Sequence, residues 1–534
     1  MKIEKSDGST VGMTGIGGLG DRGEERSGLR LPTLTILYHP DLRRIGSRTF
    51  LSELLVGREV LVSRNQPELS RPDQLVGAPL EDAHISRRPF RLRAVEGGGV
   101  DLLLDDSRTA VVAQGVSVLQ EHRFSAAELE NGAILELSGR VALLLHLATP
   151  PGETPPRFGL IGDSPGLLRV RADIQRVADL EVPVLLRGAT GTGKELAARA
   201  IHDSSPRRSG PFLGVNLGAI APSLSASELF GAVRGAFTGS VSQQEGYFRR
   251  AHGGTLFLDE IGEAPPEIQV MLLRALETGE IFPVGSQSPL RADVRVIAAT
   301  DSDLEGKVRD GGFRAPLLHR LSGFEIWMPP LRERREDIGR LLLHFLRQEL
   351  ARIGEGQRLD PESRSCDPLW LPPRLVARLA RFDWPGNVRQ LRNVARQLVI
   401  GSRGLSRLEI GPQIERLLRE EDSAASGERH SAEPSPPAPP RWRRPSEVGE
   451  EELLAALREH RWDLKATASA LGISRTSLYA LIEESPHIRK ASDLSAEEIE
   501  QSFQEQGGDL DAMVERLEVS KKALSRRLRD MKLA

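Results

Sequence analysis

A glycine-rich octapeptide between a short apolar run and a helix-forming stretch is the feature that most constrains this fold. Residues 188–195 (GATGTGKE) follow the run Val182–Leu186 and precede an alanine-rich stretch. Glycines let backbone N–H groups turn towards a phosphate, and the next helix adds the partial positive charge of its N-terminus. This strand–loop–helix order predicts an α/β nucleotide-binding domain. Its candidate nucleotide contacts are Gly188, Ala189, Thr190, Gly191, Thr192, Gly193, Lys194 and Glu195.

A second element strengthens this interpretation. An apolar strand pattern at residues 254–258 ends in Asp259 and Glu260, 65 residues after Lys194. Asp259 is suited to hold Mg²⁺, and Glu260 is suited to polarise an attacking water. The two elements together predict a nucleoside triphosphatase, and a site that binds nucleotide without hydrolysing it is the alternative.

The composition excludes several classes of protein. The 534-residue chain has 72 Lys and Arg against 75 Asp and Glu, a net charge of −3. This excludes a polybasic protein, so any nucleic-acid surface must be local. The single cysteine, Cys366, excludes a disulfide framework and a cysteine-cluster zinc site. No apolar run reaches the roughly 18 residues of a membrane span, and the start lacks the apolar core of a secretory signal. We therefore expect a cytoplasmic protein without a membrane partner.

Shifts in composition predict a multidomain chain with an all-β part, an α/β part and an all-α part. The predicted segments are a flexible lead (1–31), a β sandwich (32–148), an α/β nucleotide-binding domain (158–335), its helical lid (336–420), a Pro/Ser-rich linker (421–448) and two helical segments (449–485 and 486–534).

The two helical segments contain an internal repeat. Residues 451–485 align without a gap on residues 497–531, and nine of the 35 positions are identical. A repeat of this length is about one supersecondary unit. Two unrelated amphipathic hairpins are the alternative, because helices share Leu and Glu easily.

A further motif, residues 235–240 (GAFTGS), has two glycines around a Phe-Thr pair. This suits a mobile loop that presents an aromatic side chain to a partner. With the two nucleotide motifs, it makes residues 158–400 closely resemble the AAA+ domain of sigma-54-dependent transcriptional activators, whose motif here is GAFTGA. The resemblance implies that the sigma-54 factor is contacted by Gly235, Ala236, Phe237, Thr238, Gly239 and Ser240.

The same resemblance assigns roles to other residues of the site. It implies that Asn216 restrains Glu260, that Thr300 senses the nucleotide and that Arg389 reaches it from the lid. Arg314 and Arg320 match arginines that act on the nucleotide of a neighbouring subunit, although surface salt bridges are the alternative on spacing alone. Asp301 stands where the family usually has Asn.

The mechanism implied by the resemblance uses ATP and Mg²⁺ at the seams of a ring, and the resemblance implies that the ring is a hexamer. Hydrolysis moves the Phe237–Thr238 loop, which remodels the closed complex of RNA polymerase with sigma-54 so that the promoter melts. The alternatives are a DNA-bound phosphopeptide adaptor with an inactive ATPase domain, and an AAA+ protein that acts on another target.

Residues 463–482 predict two short helices around a turn at Gly472, with Ser474 as the N-cap of the second. They resemble the Fis-type helix-turn-helix of these activators, and a dimerisation hairpin is the alternative. The second helix would present its first turns to the major groove of double-stranded DNA. The candidate DNA contacts in this copy are Arg475, Thr476, Ser477 and Tyr479.

The second copy is more basic, and Lys521 and Lys522 are its candidate phosphate contacts. Glu518 stands where the first copy has its turn glycine. A solvated basic helix face is the alternative to a second DNA-binding motif.

Residues 33–147 resemble a forkhead-associated (FHA) domain, a β sandwich that binds phosphothreonine peptides in loops at one end. The positions that match its loop residues are Arg58, Ser86, Arg87 and Thr109, and Thr109 stands where the family has Asn. The resemblance implies phosphothreonine proteins as partners. A sandwich kept for protein contacts or packing is the alternative.

Overall fold

The structure is a computed structural model. It describes residues 30–71, 74, 76–150, 152, 154–236, 244–359, 369–425, 448–460, 462–473, 477–478, 481–482, 485, 488, 493–506 and 509–531. The chain divides into two compact units, residues 1–427 and 428–534.

The first part of unit one is built from antiparallel strands. They are β1 (Leu31–Tyr38), β2 (Arg48–Phe50), β3 (Val60–Val62), β4 (Phe90–Val95), β5 (Gly99–Leu103), β6 (Val111–Ala113), β7 (Val116–Val118), β8 (Glu121–Phe124), β9 (Ala133–Leu137) and β10 (Val141–Ala148), with helix α1 at Ala126–Asn131. One sheet has the order β2-β1-β10-β9-β6-β7 and the other β3-β4-β5-β8. Side chains of both sheets share one core, as the all-β prediction for this region requires.

Strand β1 is buried on both faces. Leu34 and Ile36 point into the sandwich core, whereas Thr35 and Leu37 point the other way and are also buried. A strand covered on both sides appears in sequence as a nearly continuous apolar run, which explains the pattern LPTLTILY. The outer face of this sheet therefore has a partner.

The central part of unit one alternates helices and strands. The elements are α2 (Pro165–Val177), β11 (Val184–Arg187), α3 (Lys194–Asp203), β12 (Phe212–Asn216), α4 (Pro222–Phe230), α5 (Tyr247–Arg250), β13 (Thr255–Asp259), α6 (Pro266–Thr278), β14 (Glu280–Ile281), β15 (Leu290–Arg291), β16 (Arg295–Thr300), α7 (Leu304–Arg309), α8 (Ala315–Leu321) and β17 (Phe324–Trp327). The main sheet is parallel with the order β12-β13-β16-β11-β17, which confirms the predicted α/β domain. Its faces contribute to two separate hydrophobic cores.

The helices α9 (Ile338–Arg352), α10 (Pro373–Arg381), α11 (Asn387–Gly401) and α12 (Pro412–Ala425) follow the sheet and form a helical lid. The lid is the partner of the outer sandwich face. Leu37, Ile134 and Leu144 of the sandwich share one hydrophobic core with Leu342 of α9 and Leu379 of α10. The sandwich and the lid are thus packed as one body rather than joined by a free hinge.

Unit two contains the helices α13 (Glu450–Glu459), α14 (Leu464–Ala470), α15 (Ala496–Glu505), α16 (Leu510–Leu517) and α17 (Lys521–Asp530). Helices α13 and α15 start 46 residues apart, and so do α14 and α16, which is the offset of the sequence repeat. Glu518 has a φ of +50° where the first copy has Gly472 at +65°, so both copies make the same left-handed turn. The copies share one hydrophobic core.

Candidate functional site

The phosphate loop lies between β11 and α3, at the carboxyl edge of the parallel sheet. Gly193 has a φ of +107° and immediately precedes the first residue of α3. Gly191 has a φ of +79°, and a Cβ there would overlap the carbonyl oxygen of Gly386. These glycines let the backbone turn under a phosphate and let the lid approach the loop closely.

Lys194 is the first residue of α3 and is largely buried. Its Nζ donates to the carbonyl oxygen of Gly188 at 2.7 Å. Thr192 is 2% exposed, and its hydroxyl donates to the carbonyl oxygen of Ala189 at 2.8 Å. The side chain of Glu195 is exposed. The loop is thus held by its own side chains with the Lys194 ammonium against it.

The two acids at the end of β13 lie beside this loop. Glu260 has a φ of +54°, a strained conformation for a side chain of this type, and its N–H donates to Asp259 Oδ1 at 3.1 Å. Burial raises the pKa of Glu260, the Asp301 carboxylate raises it further, and the Lys194 ammonium lowers it. A carboxylate with a raised pKa in a cleft has the character of a general base.

Asp301 connects the acids with the phosphate loop, a contact that motif reasoning did not find. It accepts a short hydrogen bond from the hydroxyl of Thr190, which with the Lys194 charge lowers its pKa, and its own charge acts on Glu260. Thr300, the predicted sensor, is 1% exposed, and its Oγ1 accepts from the Ser302 N–H at 3.0 Å. The Thr300 carbonyl oxygen accepts from the Gly188 N–H at 3.3 Å, and the side chain that reaches the loop is that of the next residue, Asp301.

Asn216 ends β12 and pairs in register with Asp259 of β13. Its side chain is exposed, and among the described residues it has no side-chain hydrogen bond, including none to Glu260. Its predicted role in restraining Glu260 stays a prediction.

Three lid contacts hold the carbonyl groups of the phosphate loop. The Asn387 side-chain amide donates to Thr190 O at 2.9 Å, and the Arg389 N–H donates to Gly191 O at 3.3 Å. Arg334, 3% exposed, donates from Nη2 to Thr192 O at 3.1 Å. Arg389 is thereby placed against the loop with an exposed side chain, and Asn387 and Arg334 are contacts that sequence reasoning missed.

The two candidate arginines differ in their surroundings. The side chain of Arg314 is exposed and has no hydrogen bond or ion pair to another described residue. Arg320 donates from Nε and Nη2 to the carbonyl oxygen of Leu276, at 3.0 and 2.8 Å. The Arg320 side chain is thus bound to α6, whereas that of Arg314 is exposed to solvent.

The residues that flank the GAFTGS segment are held by backbone hydrogen bonds. Ala232 and Gln244 exchange backbone hydrogen bonds at 3.0 and 2.9 Å, and Gly235 has a φ of +80°. Ala236 is the last described residue before the gap, and its N–H donates to Val233 O at 3.2 Å. Phe237, Thr238, Gly239 and Ser240 lie outside the described residues.

Ser86 and Thr109 of the sandwich come together. The Ser86 N–H donates to Thr109 Oγ1 at 3.0 Å, and the Arg64 N–H donates to Ser86 O at 3.0 Å. Arg87 is exposed beside them. Arg58 does not join this group. Val62 of β3 pairs with Phe90 of β4, so the chain before β3, with Arg58, lies at the end of the strand pair away from Ser86.

The candidate DNA contacts are described only in part. Ser477 lies in a helical segment after the turn, whereas Arg475, Thr476 and Tyr479 lie outside the described residues. Lys521 and Lys522 begin α17, but only their backbone is described.

No helix in the described part of the chain is long and apolar enough to cross a membrane. Nor do three or more His, Cys, Asp or Glu side chains gather there as a set that could ligate a metal ion by itself.

Comparison with known proteins agrees with this geometry. Residues 160–327 match the sigma-54 interaction domain, residues 332–426 the AAA+ ATPase lid domain, and residues 445–483 the Fis family of bacterial regulatory proteins. The nitric oxide reductase transcription regulator NorR1 of Cupriavidus necator is 36% identical over 455 residues, which are 81% of this chain and 85% of that protein. The chain belongs to the sigma-54-dependent transcriptional activators.

Other activators of this family match over a shorter range. The DNA-binding transcriptional regulator NtrC of Escherichia coli K12 is 45% identical over 249 residues, 47% of this chain and 51% of that protein, so the chain spans about half the length of that relative. The crystal structure of NtrX from Brucella abortus in complex with ATP is 32% identical, with a TM-score of 0.42, and covers 61% of this chain and 68% of that one.

Proposed function

We propose that this sigma-54-dependent activator hydrolyses ATP and uses the reaction to remodel the closed complex of RNA polymerase with sigma-54 into an open complex. The proposal rests on one observation: residues that follow three strands of the sheet come together with a residue of the lid at the phosphate loop. Lys194 after β11, Glu260 after β13 and Asp301 after β16 interact with one another, and Arg389 of the lid lies against the same loop.

Each of these residues has a separate role in hydrolysis. The phosphate loop and Lys194 hold the β- and γ-phosphates, and Glu260 orients and polarises the attacking water. Arg389 approaches the nucleotide from the lid. Arg314 extends to the nucleotide of the next subunit in a ring, where a guanidinium stabilises the charge that develops on the transferred phosphoryl group. Such a ring has six subunits in our proposal.

The residues present fit Mg²⁺. Mg²⁺ is usually held by one or two carboxylates together with substrate phosphates and water, not by a cage of protein ligands. Asp259 supplies such a carboxylate beside Lys194, and among the described residues there is no closed set of metal ligands. When bound, the ion neutralises charge on the phosphates.

The GAFTGS loop is the part of the domain that acts on the partner. At its base, Val233 donates its N–H to Val284 O at 3.1 Å, Val284 donates to Gly231 O at 2.8 Å, and the Gln244 side chain donates to Glu228 at 3.0 Å. A loop with such a fixed base transmits a domain movement to its tip. We propose Phe237 and Thr238 as the sigma-54 contacts, and the C-terminal unit as the part that binds upstream DNA in the cytoplasm.

ATP turnover tests the enzymatic part. The full chain with Glu260→Gln should lose about 10²- to 10⁴-fold in turnover, because the water loses its base. Glu277→Gln, an exposed glutamate of α6, is the matched control and should keep full turnover. Equal and negligible turnover in wild type and Glu260→Gln would favour the phosphopeptide adaptor with an inactive ATPase domain.

Open-complex formation tests the partner. Thr238→Ala should keep ATP turnover but lose promoter opening by RNA polymerase with sigma-54. If opening is undiminished, the loop assignment fails, and an AAA+ protein with another target becomes the better description.

The sandwich is proposed as an FHA-like input that recognises phosphothreonine at the Ser86–Thr109 end. Ser86→Ala combined with Arg87→Ala should abolish binding of phosphothreonine peptides to the full chain. Arg58→Ala is the control, because β3 places Arg58 at the other end. The full chain is needed because the sandwich shares a core with the lid. Loss of binding only in Arg58→Ala would refute this placement.

A further inference from the structure

A basic cleft lies where the sandwich meets the lid. It has a volume of about 380 Å³, and three parts of the chain line it: the β1–β2 connection with Arg71, the segment Arg157–Gly162 and helix α9. Its cationic side chains are Arg43, Arg71, Arg157, Arg340 and Arg347, and His344 lies among them. A volume of this size is within the usual range for sites that bind small molecules.

The cleft has a surplus of positive charge. None of its lining residues within the described chain is Asp or Glu. Arg43 is paired with Asp41 at 3.1 Å, and Arg340 is paired with Asp163, so these two guanidinium groups are neutralised. Arg347 is exposed and has no hydrogen bond or ion pair to another described residue.

Arg71 adds an unsatisfied donor. Its Nη2 is 3.5 Å from the carbonyl oxygen of Ile45, and its Nε is buried without a hydrogen-bond partner among the described residues. A buried donor left unpaired is unfavourable. A phosphate oxygen would satisfy it, since guanidinium groups bind phosphate through paired, charge-assisted hydrogen bonds.

The remaining lining of the cleft is apolar. Leu42 and Ile45 come from the sandwich, Leu160 and Ile161 from the segment before α2, and Leu343 from α9.

Burial, and then the charges of Arg347 and Arg392, lower the pKa of His344, which keeps its ring neutral near pH 7. The site thus offers cationic donors on one side and apolar surface on the other.

We propose that this cleft binds a small phosphate ester, with its phosphate between Arg71 and Arg347 and its organic part against the leucine and isoleucine side chains. The ligand touches the sandwich, the connecting segment and the lid at once. It therefore stabilises the docked arrangement of these parts.

The site is connected to the phosphate loop through buried contacts. Asp163, the partner of Arg340, donates its N–H to Asp337 Oδ1 at 2.7 Å. Asp337 follows closely on Arg334, which holds Thr192 of the loop. A ligand that fixes α9 and Arg340 also fixes the lid position relative to the nucleotide, so it changes ATP turnover.

Binding is measured by calorimetry on the full chain carrying Lys194→Ala, so that the phosphate loop does not compete for the probe. The probes are phenyl phosphate and inorganic pyrophosphate, with phenol as the uncharged control. Arg71→Gln and Arg347→Gln should each weaken phenyl phosphate binding about tenfold, and the double variant should abolish it. Arg169→Gln, an exposed arginine of α2 outside the cleft, should leave binding unchanged.

Thermal unfolding keeps the test independent of folding defects. The double variant should unfold at the temperature of its parent without ligand, and phenyl phosphate should raise only the parent's transition. The proposal is overturned if neither phosphate probe binds up to millimolar concentration, if the double variant binds as the parent does, or if only phosphothreonine peptides bind.

Discussion

Asp301 accepts a hydrogen bond from Thr190 of the phosphate loop, and its negative charge acts on Glu260 and raises the pKa of that residue. The end of β16 thereby places a second carboxylate next to the proposed general base. This neighbour adds to the burial that raises the pKa of Glu260. The pH at which hydrolysis sets in thus depends on a residue that does not itself activate the water.

Replacing Asp301 by Asn should shift the pH profile of ATP turnover. A general base works only when deprotonated, so turnover is lost as pH falls through the pKa of Glu260. Without the negative charge of Asp301 that pKa is lower, and the acidic limb of kcat/KM should move to lower pH. Asp179→Asn, an exposed residue outside the site, is the control. An unmoved acidic limb would show that the Asp301 charge does not act on the base.

Arg314→Ala should lower ATP turnover at least about 10³-fold while nucleotide affinity stays within a few-fold, because arginines that act in trans stabilise the transition state. Mixing Arg314→Ala subunits with Glu260→Gln subunits should recover part of the turnover, since some seams then combine an intact Glu260 with an intact Arg314. No recovery on mixing would rule out action across a subunit seam.

Arg320→Gln should lower the free energy of unfolding. It removes two hydrogen bonds to the carbonyl oxygen of Leu276, which together contribute about 1–3 kcal/mol. We expect a lower midpoint in urea unfolding, whereas Arg314→Ala should leave that midpoint unchanged. The opposite order of the two midpoints would mean that the contact with α6 does not hold Arg320 in solution.

The parts of the site that the sequence predicted are those with local rules. The phosphate loop and the pair Asp259–Glu260 each combine an apolar strand with a fixed turn chemistry, so their position at the sheet edge followed from the motifs. The sequence did not predict which of two arginines, Arg58 or Arg64, lies beside Ser86. The answer depends on the register in which β3 pairs with β4, and the register of such short strands cannot be predicted from the sequence.

Contacts between segments that are distant along the chain could not be predicted from the sequence either. Arg334 and Asn387 hold the phosphate loop from more than a hundred residues away, and no spacing rule relates them to it. The apolar run of β1 fits a strand that is buried on both faces, but it does not say what covers the outer face. The lid does so, through Leu37 and its neighbours.

His146 should make stability depend on pH. It is buried in β10, its Nε2 lies 2.9 Å from Thr35 Oγ1, and burial lowers its pKa to about 3. The unfolded chain takes up this proton below about pH 6.5, whereas the folded chain does not until much lower pH. The contribution to stability is therefore full above pH 6.5 and falls as pH drops towards 3.

At pH 5 the loss from this one group is about 2 kcal/mol, at 1.36 kcal/mol per pH unit. Urea unfolding at pH 7 and pH 5 should show that His146→Gln loses less stability than wild type by this amount. The other histidines are present in both proteins, so the difference isolates His146. Parallel losses in both proteins would contradict the buried neutral histidine.

The docking of the sandwich on the lid depends on the absence of a side chain at Gly339. This residue is the second of α9, and a Cβ there would overlap the carbonyl oxygen of Leu37 in β1. Gly339→Ala should therefore destabilise the folded chain by about 1–3 kcal/mol, although alanine is the better helix former. Gly401→Ala at the end of α11 has open space around it and should be neutral or stabilising. If both variants gain stability, β1 and α9 are not in contact in solution. If only Gly339→Ala loses stability and is also cut faster by protease within residues 149–157, the sandwich has been released from the lid.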